Sequence, residues 1–180
     1  MALDTITTCA FKILSRWNVL KTPSGVVSSI RSDTEAEIGE SLTFTLGTGA
    51  NQANNIVYKD TTLAASASTT FDLRADLASV CNETGLLITA VKAMIIQNKT
   101  TTTSTLIKVG GAASNPWFDA ASGPFVDGTS LIGIPNGGAI AFTNPSSAGS
   151  ITDATHKALK ILNADGTNSA TVRMILFVKA

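Results

Sequence analysis

The side chains that most often carry out catalysis are few and scattered in this sequence. The one histidine, His156, precedes Lys157 in a polar stretch, and no Gly-x-Ser-x-Gly motif is present. A serine hydrolase needs a histidine beside an activated serine and oriented by a carboxylate. Asp119 and Asp127 could supply the two carboxylates of a glycosidase, but loop aspartates of any β-protein have the same pattern. We therefore expect a protein that is not an enzyme.

Metal and cofactor sites have equally weak signals. Cys9 and Cys81 are far apart and form no Cys-x-x-Cys spacing, so we expect no zinc site. A reducing compartment favours free thiols over a Cys9–Cys81 disulfide, which would require the two Cα atoms to lie within about 7 Å. The acidic stretch 32–39 lacks the dense Asp/Asn/Gly spacing of calcium loops and is interpreted as a solvated surface. The glycines of stretch 47–55 are not followed by the Gly-Lys-Ser/Thr of a phosphate loop. The sequence predicts no metal and no cofactor.

The charge of the chain disfavours nucleic-acid and membrane partners. Thirteen basic and thirteen acidic residues give a formal net charge of zero, and no basic run is present. Charged residues make up 14% of the chain, against about 25% in ordinary globular proteins. The N-terminus lacks the basic region of a signal peptide, and the most apolar run, 86–96, is too short to cross a bilayer. A surface with few charges suits a protein that packs against neighbours.

Hydrophobic periodicity predicts a chain of short β-strands. Leu86–Ile96 alternates with two largely apolar faces, as in a central strand covered on both sides, and its Lys92 must reach water or a partner. Turn signals predict hairpins at 22–25, 135–138 and 163–168. The spacing of apolar residues predicts one short helix within 74–82. The strands are expected near 11–20, 26–31, 41–46, 56–59, 70–73, 86–96, 107–110, 130–134, 139–143, 157–162 and 170–179.

These elements predict an all-β fold, an antiparallel β-sandwich of jelly-roll type with one short helix. The length of 180 residues fits a single domain. We expect residues 1–10 to form a flexible N-terminal arm and 11–180 to form the sandwich domain. The alternative is that 11–50 forms an extended arm or hairpin for subunit contacts.

Aromatic side chains are the candidate interaction residues. The corner formed by Asn115, Pro116, Trp117 and Phe118 has three interpretations, in which Trp117 stacks on a sugar, docks into a neighbouring subunit or caps the end of the core.

Six segments in the second part of the chain resemble a group of small virion structural proteins of tailed bacteriophages. The resemblance covers roughly 54–180 and leaves the first fifty residues uncovered. At one turn the chain has Pro-Asn-Gly-Gly where the group tends to have Pro-Gly-Gly. The segments are NNIVYKDTTLAAS from Asn54, TFDLRADL from Thr70, LLITAVKAMIIQNKTTT from Leu86, IKVGGAASNPWF from Ile107, IPNGGAIAF from Ile134 and ALKILNADG from Ala158.

The resemblance implies a capsid decoration or cement protein on the exterior of a phage capsid, made in the cytoplasm of the bacterial host. Its implied partners are the major capsid protein and copies of itself, as a dimer or trimer. Phe11 and Trp17, in the uncovered region, are then the first candidates for contacts with a neighbour, and the aromatic corner is the second. Two alternatives are a tail, collar or head-fibre component and a carbohydrate-binding jelly roll. The latter predicts exposed aromatic side chains on one sheet face, with Tyr58, Trp117 and Trp17 as candidates.

Overall fold

A computed structural model of the chain describes residues 8–11, 42–75, 77, 86–101, 105–117 and 131–180. The chain divides into two compact units, Met1–Phe44 and Thr45–Ala180. The first unit contains β1 (Thr8–Phe11), and β2 (Leu42–Leu46) crosses the boundary between the units. The strands predicted for 11–20 and 26–31 lie outside the described residues, apart from the last residue of β1. The division into an arm and one sandwich domain stays a prediction.

The second unit contains two mainly antiparallel sheets, here called sheet I and sheet II. Sheet I has the order β4-β12-β6, with β9 and β10 side by side along the far edge of β6, and sheet II has the order β5-β11-β7-β8. A short strand β3 pairs in parallel with β2. The strands are β3 (Gln52–Ala53), β4 (Asn55–Leu63), β5 (Ser68–Asp72), β6 (Ala90–Asn98), β7 (Leu106–Gly110), β8 (Leu131–Pro135), β9 (Ala139–Thr143), β10 (Ser150–Ile151), β11 (Ala158–Asn163) and β12 (Ala170–Lys179).

This strand order is that of a jelly roll. The chain forms four nested antiparallel pairs, β4 with β12, β5 with β11, β6 with β9 and β7 with β8. The first, second and third pairs join strands that are distant in sequence, and they alternate between the two sheets. The prediction of an all-β, antiparallel sandwich is confirmed.

The core lies between the sheets and follows the two-residue period of the strands. On β12, Ala170, Val172, Met174, Leu176 and Val178 are all buried in one cluster with side chains of sheet II. Full burial of one such aliphatic side chain stabilises the fold by about 1.5–3 kcal/mol. The intervening positions of β12 form the opposite face of sheet I. The contributions of sheet II include Ile107, Val109, Ile134, Leu159 and Ile161.

Two of the predicted hairpins are wrong. At 135–138 the Gly138 amide donates to the Pro135 carbonyl at 2.9 Å, which closes a turn, yet β8 pairs with β7 and β9 pairs with β6. A type I′ hairpin turn needs positive φ at both central residues. Among the described non-glycine residues, only Asn51, Ser66 and Asn115 have positive φ, so Asn136 does not supply it. The turn therefore carries the chain from one sheet to the other.

The C-terminal connection makes a similar crossing. β11 pairs with β5 and β7 in sheet II, whereas β12 pairs with β4 and β6 in sheet I. Asp165 Oδ1 accepts from the amides of Thr167 at 2.7 Å and Asn168 at 3.0 Å, so the Asp-Gly sequence does form a local turn. Local turn chemistry was predicted correctly, and only the partner strands were not.

The described residues contain no helix. Arg74 and Ala75 lie in a turn after β5, and most of the segment 74–82, for which a helix was predicted, lies outside the described residues.

Two buried asparagines hold the crossings between the sheets. Asn98 ends β6, and its Nδ2 donates to the carbonyl of Ile134 on β8 at 3.3 Å. Asn163 ends β11, and its Nδ2 donates to Ala64 O at 3.0 Å and Asn168 O at 2.8 Å, with Leu63 O at 3.4 Å. Both side chains are fully buried. Because a buried carbonyl without a donor is unfavourable, these amides let the chain leave one sheet and enter the other.

Asn163→Ala is expected to lower the free energy of unfolding by about 2–4 kcal/mol, because the fully buried side chain and its hydrogen bonds to the carbonyls of Leu63, Ala64 and Asn168 are lost. Urea denaturation followed by circular dichroism measures the change. Asn136→Ala, at an exposed turn position, is the control and should shift stability by no more than about 0.5 kcal/mol. Equal effects of the two substitutions would contradict the role assigned to Asn163.

Candidate interaction surface

The outer face of sheet I presents two parallel rows of side chains. Cross-strand pairing aligns Ile175 with Tyr58 and Ile95, and Ile95 with Ala141. We call Tyr58, Ile175, Ile95 and Ala141 the apolar row. The neighbouring positions align in the same way and are called the polar row, which consists of Asp60, Arg173, Gln97 and Ala139.

The apolar row is accessible. Tyr58 is 43% exposed, Ala141 is exposed, and Ile95 and Ile175 are half-buried. The row crosses all four strand positions of the sheet, a distance of about 14 Å between the outermost strands. Such a continuous apolar stripe differs from single exposed apolar residues, which are normal on any protein. The stripe is therefore the strongest candidate for a contact surface among the described residues.

One end of the two rows is a preorganised charged cluster. Arg173 Nε and Nη2 donate to Asp60 Oδ1 and Oδ2, each at 2.9 Å, and the Tyr58 hydroxyl donates to Asp60 Oδ2 at 2.9 Å. The guanidinium carbon lies 4.8 Å from the centre of the Tyr58 ring. Lys99 Nζ approaches Asp60 Oδ2 at 3.8 Å. Both carboxylate oxygens thus have donors within the chain itself.

The cluster shifts the protonation equilibria of its members. The hydrogen bonds from Arg173 lower the pKa of Asp60 to about 2. Burial raises the pKa of Tyr58, and the hydrogen bond to Asp60 raises it further. The cluster is therefore an internally compensated ion pair at neutral pH, and it needs no charge from a partner.

Of the six predicted interaction residues, the structure describes the side chains of Asn115, Pro116 and Trp117. The Trp117 side chain is fully buried and packs edge-to-face on Phe142, with ring centroids 5.9 Å apart at 89°. Of its three interpretations, the position of Trp117 matches the cap of the core. Asn115 is exposed with φ of 50°, and Pro116 forms a bridge with Ala158. An interface role of this corner stays a prediction.

For the remaining predicted residues, the structure describes no side chain. Phe11 is the last residue of β1, where only the backbone is described. Trp17 and Phe118 lie outside the described residues, as do Asp119 and Asp127.

His156 takes part in a turn that Asp153 holds together. His156 Nδ1 lies 3.0 Å from both Asp153 oxygens and 3.1 Å from Thr155 Oγ1. Asp153 Oδ1 also accepts from the amides of Thr155 and His156. The hydrogen bond from the His156 side chain, together with these amide donors, holds the pKa of Asp153 far below its usual range. Hydroxyl and carboxylate approach the same ring nitrogen, whereas a catalytic triad needs them on opposite nitrogens. This geometry is a turn rather than a catalytic relay.

The part of the chain that the structure describes contains neither a metal-ligand cluster nor a membrane-spanning helix. No group of three or more His, Cys, Asp or Glu side chains there could hold a metal ion. No helix within the same residues is long and apolar enough to cross a membrane.

Lys92, which the sequence singled out as needing water or a partner, is fully buried. The pairing of β6 with β12 shifts between Ala93 and Val91, so Lys92 occupies a bulge without an opposite residue. Its ammonium donates to the carbonyls of Ser146 and of Ser147, the latter at 2.9 Å, with Gly49 O at 3.4 Å. Burial lowers the pKa of Lys92, and the nearby charge of Lys179 contributes.

The lysine therefore connects two loops. The Asn51 amide donates to Pro145 O at 2.7 Å, which joins the same two loops a second time. Gly149, at φ of 66°, packs directly on this side chain, because a Cβ there would lie 3.0 Å from Lys92 Cδ. We refer to loops 47–51 and 144–149 with Lys92 as the lysine tie.

The sequence analysis did not predict the apolar row or the polar row. The alternation of β12 placed Arg173 and Ile175 on one face, but nothing local showed which residues of β4 and β6 align with them. From the sequence, Tyr58 is a candidate only for stacking on a sugar. The alignment of residues on β4, β12, β6 and β9 follows from the sequence only when the order of these strands is already known.

No protein-family model matches the sequence, and no curated protein sequence matches it. Among solved structures, the chain is similar to PRD1 vertex protein P5, with 15% identity and a TM-score of 0.38 over 71% of this chain and 99% of that one. It is also similar to a chain from Bacillus endospore appendages, described as a novel family of disulfide-linked pili. That match has 16% identity and a TM-score of 0.33 over 76% of this chain and 99% of the other. Because both TM-scores are low, these two matches assign no function to this chain.

Lys92→Met is expected to loosen the lysine tie. Loss of a charge-assisted hydrogen-bond donor of about 1.5–3 kcal/mol should speed local opening by roughly 10- to 100-fold. Hydrogen exchange of the Asn51 amide, which donates to Pro145 O, measures this opening under native conditions. Lys59→Met, at an exposed position of β4, is the matched control and should leave that amide unchanged. Unaltered protection in Lys92→Met would mean that the ammonium does not hold the loops.

Asp60→Asn is expected to change the acid stability of the protein. The folded pKa of Asp60 is lowered, so its stabilisation is complete above about pH 4 and is lost as the pH falls toward about 2. Because the pair is partly exposed, the difference in unfolding free energy at pH 7 should be about 1 kcal/mol or less. Urea titrations at several pH values should show this difference shrinking over that window. In an Arg173→Met background the pH dependence should largely disappear, and its persistence would contradict the pairing.

Proposed function

We propose that this chain is a non-enzymatic structural protein of a phage particle, and specifically a capsid decoration or cement protein on the exterior of the shell. The resemblance of 54–180 to virion structural proteins of tailed phages supports the class of protein. The jelly-roll strand order supports it further, since this architecture is common in viral capsid proteins. Fold alone does not define function, however, so a surface suited to contact with other proteins is needed as well.

The outer face of sheet I is the observation that carries the proposal. The apolar row offers accessible Tyr58, Ile175 and Ile95 side chains, and the adjoining Arg173 and Asp60 satisfy each other. Tyrosine and arginine are enriched in protein interfaces, where fully paired polar groups are less costly to desolvate than unpaired ones. Such a surface is suited to contact with protein rather than with water.

The mechanism of a cement protein would be mass action. A protein that binds the assembled shell but not its separated subunits stabilises the assembly by the free energy of that binding. The partners in this proposal are the major capsid protein and further copies of the chain. A net charge of zero avoids electrostatic repulsion between copies placed close together on a shell.

The geometry gives less support to a carbohydrate-binding jelly roll. Trp117 is buried in the core, so Tyr58 is the exposed candidate among the described residues. The Tyr58 hydroxyl and both oxygens of Asp60 already have partners in the chain, and Arg173 covers the Tyr58 ring. A sugar would have to displace these contacts before it could form its own.

Cryo-electron microscopy of the phage particle, combined with quantitative mass spectrometry, tests the proposal. We expect density of this jelly-roll shape repeated at symmetry-related positions over the capsid exterior. The copy number should stand in a fixed ratio to that of the major capsid protein. Density confined to the tail, the collar or a single vertex, with a small copy number, would replace the proposal by the tail or head-fibre alternative. Absence from the particle would overturn both.

A further inference from the structure

We propose that Asn136 is a modification site, at which the folded protein converts slowly to aspartate and isoaspartate in a reaction that consumes only water. The site lies in the turn 135–138, which carries the chain from β8 in sheet II to β9 in sheet I. The reaction needs no partner, so it is independent of the proposed function.

The chemistry depends on an asparagine that directly precedes a glycine. The Gly137 main-chain nitrogen attacks Cγ of Asn136, and the new N–Cγ bond closes a succinimide ring. The side-chain nitrogen leaves as ammonia with the proton of the Gly137 amide, and water then opens the ring at either carbonyl. Glycine favours the attack because it has no Cβ beside the attacking nitrogen and because its backbone adopts the widest range of conformations. This is the only Asn-Gly pair in the sequence.

The turn has the pattern of a type II turn. The Gly138 amide donates to Pro135 O at 2.9 Å, Gly137 has φ of 71°, and Asn136 is not among the described non-glycine residues with positive φ. Turns of types I and II share this hydrogen bond and differ in the orientation of the peptide between their two central residues. That peptide contains the attacking nitrogen. It can therefore rotate toward the Asn136 side chain while the turn stays closed.

No contact in the described part of the chain restrains the reacting groups. Neither the Asn136 side chain nor the Gly137 amide has a hydrogen-bond partner among the described residues. Both residues are exposed, and a Cβ at Gly137 would meet no atom within 4 Å. Ring closure therefore breaks no hydrogen bond and displaces no packed side chain. We expect the folded turn to react nearly as fast as an unfolded chain, because exposed loops open at almost no cost in free energy.

The Asp165-Gly166 pair shows the opposite arrangement. An aspartate can isomerise through the same ring, but only its neutral carboxyl group is a good target for the attack. Asp165 Oδ1 accepts from the amides of Thr167 and Asn168, and the Asn168 side chain donates to Oδ2 at 3.2 Å. The hydrogen bonds from these amides lower the pKa of Asp165. The structure therefore favours reaction at Asn136 over reaction at Asp165.

Modification changes the turn in two ways. Either product replaces a neutral amide by a carboxylate and makes the net charge of the chain more negative by one unit. Isoaspartate also routes the main chain through Cβ and Cγ of residue 136, which lengthens the connection between β8 and β9. Asn98 contacts both sides of this connection, since its Nδ2 donates to Ile134 O at 3.3 Å and its amide donates to Gly138 O at 2.9 Å. Isoaspartate should loosen these bonds, whereas aspartate should preserve them.

Peptide mapping by mass spectrometry, after incubation of the purified full chain at mildly alkaline pH, tests the site. Electron-transfer fragmentation locates the mass change, and labelling by protein isoaspartyl methyltransferase identifies isoaspartate. In native buffer, residue 136 should convert at a rate within about tenfold of its rate in urea, while position 165 keeps ordinary aspartate. Asn136→Gln is the matched control and should stay unmodified, because it keeps an exposed amide whose attack by the next nitrogen would require a larger, less favourable ring.

Hydrogen exchange of the Asn98 amide measures the structural effect. Ion exchange separates the charge forms of aged protein, and the fraction rich in isoaspartate should exchange this amide about 2- to 10-fold faster than fresh protein, as expected for the weakening of one hydrogen bond. Asn136→Asp carries the same charge with an unaltered main chain. Its Asn98 amide should exchange as in the fresh wild-type protein.

Persistence of asparagine at position 136 in native buffer would overturn the proposal, whether or not the chain converts in urea. Isoaspartate that forms at position 165 of the native protein before position 136 would overturn the selectivity. Equal exchange of the Asn98 amide in the fresh protein and in the isoaspartate fraction would refute the effect on the connection between the sheets. None of these results depends on where the chain is located in a particle, so the proposed function is tested separately.

Discussion

Main-chain carbonyl groups near the strand ends must find donors inside this jelly roll, because the chain changes sheets at most of its connections. Buried polar side chains supply several of those donors. Asn98 and Asn163 bind carbonyls of segments that lead into or out of the opposite sheet, and Thr152 Oγ1 donates to Ile88 O at 2.5 Å. Lys92 binds loop carbonyls at the bulge of β6. A low-dielectric interior makes each of these bonds stronger and each missing donor more unfavourable.

The same strands serve two separate purposes through their two-residue period. One side of β12 carries Val172, Met174 and Leu176 into the core, and the other carries Arg173 and Ile175 to the outer face. A substitution on the inner side should therefore change stability more than one on the outer side does. This separation lets one rigid sheet present a surface whose shape is fixed by the core beneath it.

At the edge of the apolar row, the polar side chains of the charged cluster are paired with one another. Asp60 accepts hydrogen bonds from Tyr58 and Arg173, so the charges of Asp60 and Arg173 compensate each other within the chain. Together with the zero net charge of the chain, this cluster favours contacts in which buried apolar area supplies the affinity. In such contacts the polar groups fix how the two surfaces align.

The sequence by itself determined the fold class, the approximate strand positions, the turn at 135–138 and the need of Lys92 for a partner, because each depends on periodicity or on residues adjacent in the chain. The tertiary structure decided the pairing of β8, β9, β11 and β12, the carbonyl partners of Lys92, the burial of Trp117 and the alignment of Tyr58 with Ile175. These features join residues separated by as many as 123 positions, as in the pairing of Asn55 with Val178. A strand's own side chains specify which face is buried but not which strand lies beside it, since strand order is fixed by the packing of the two sheets as a whole.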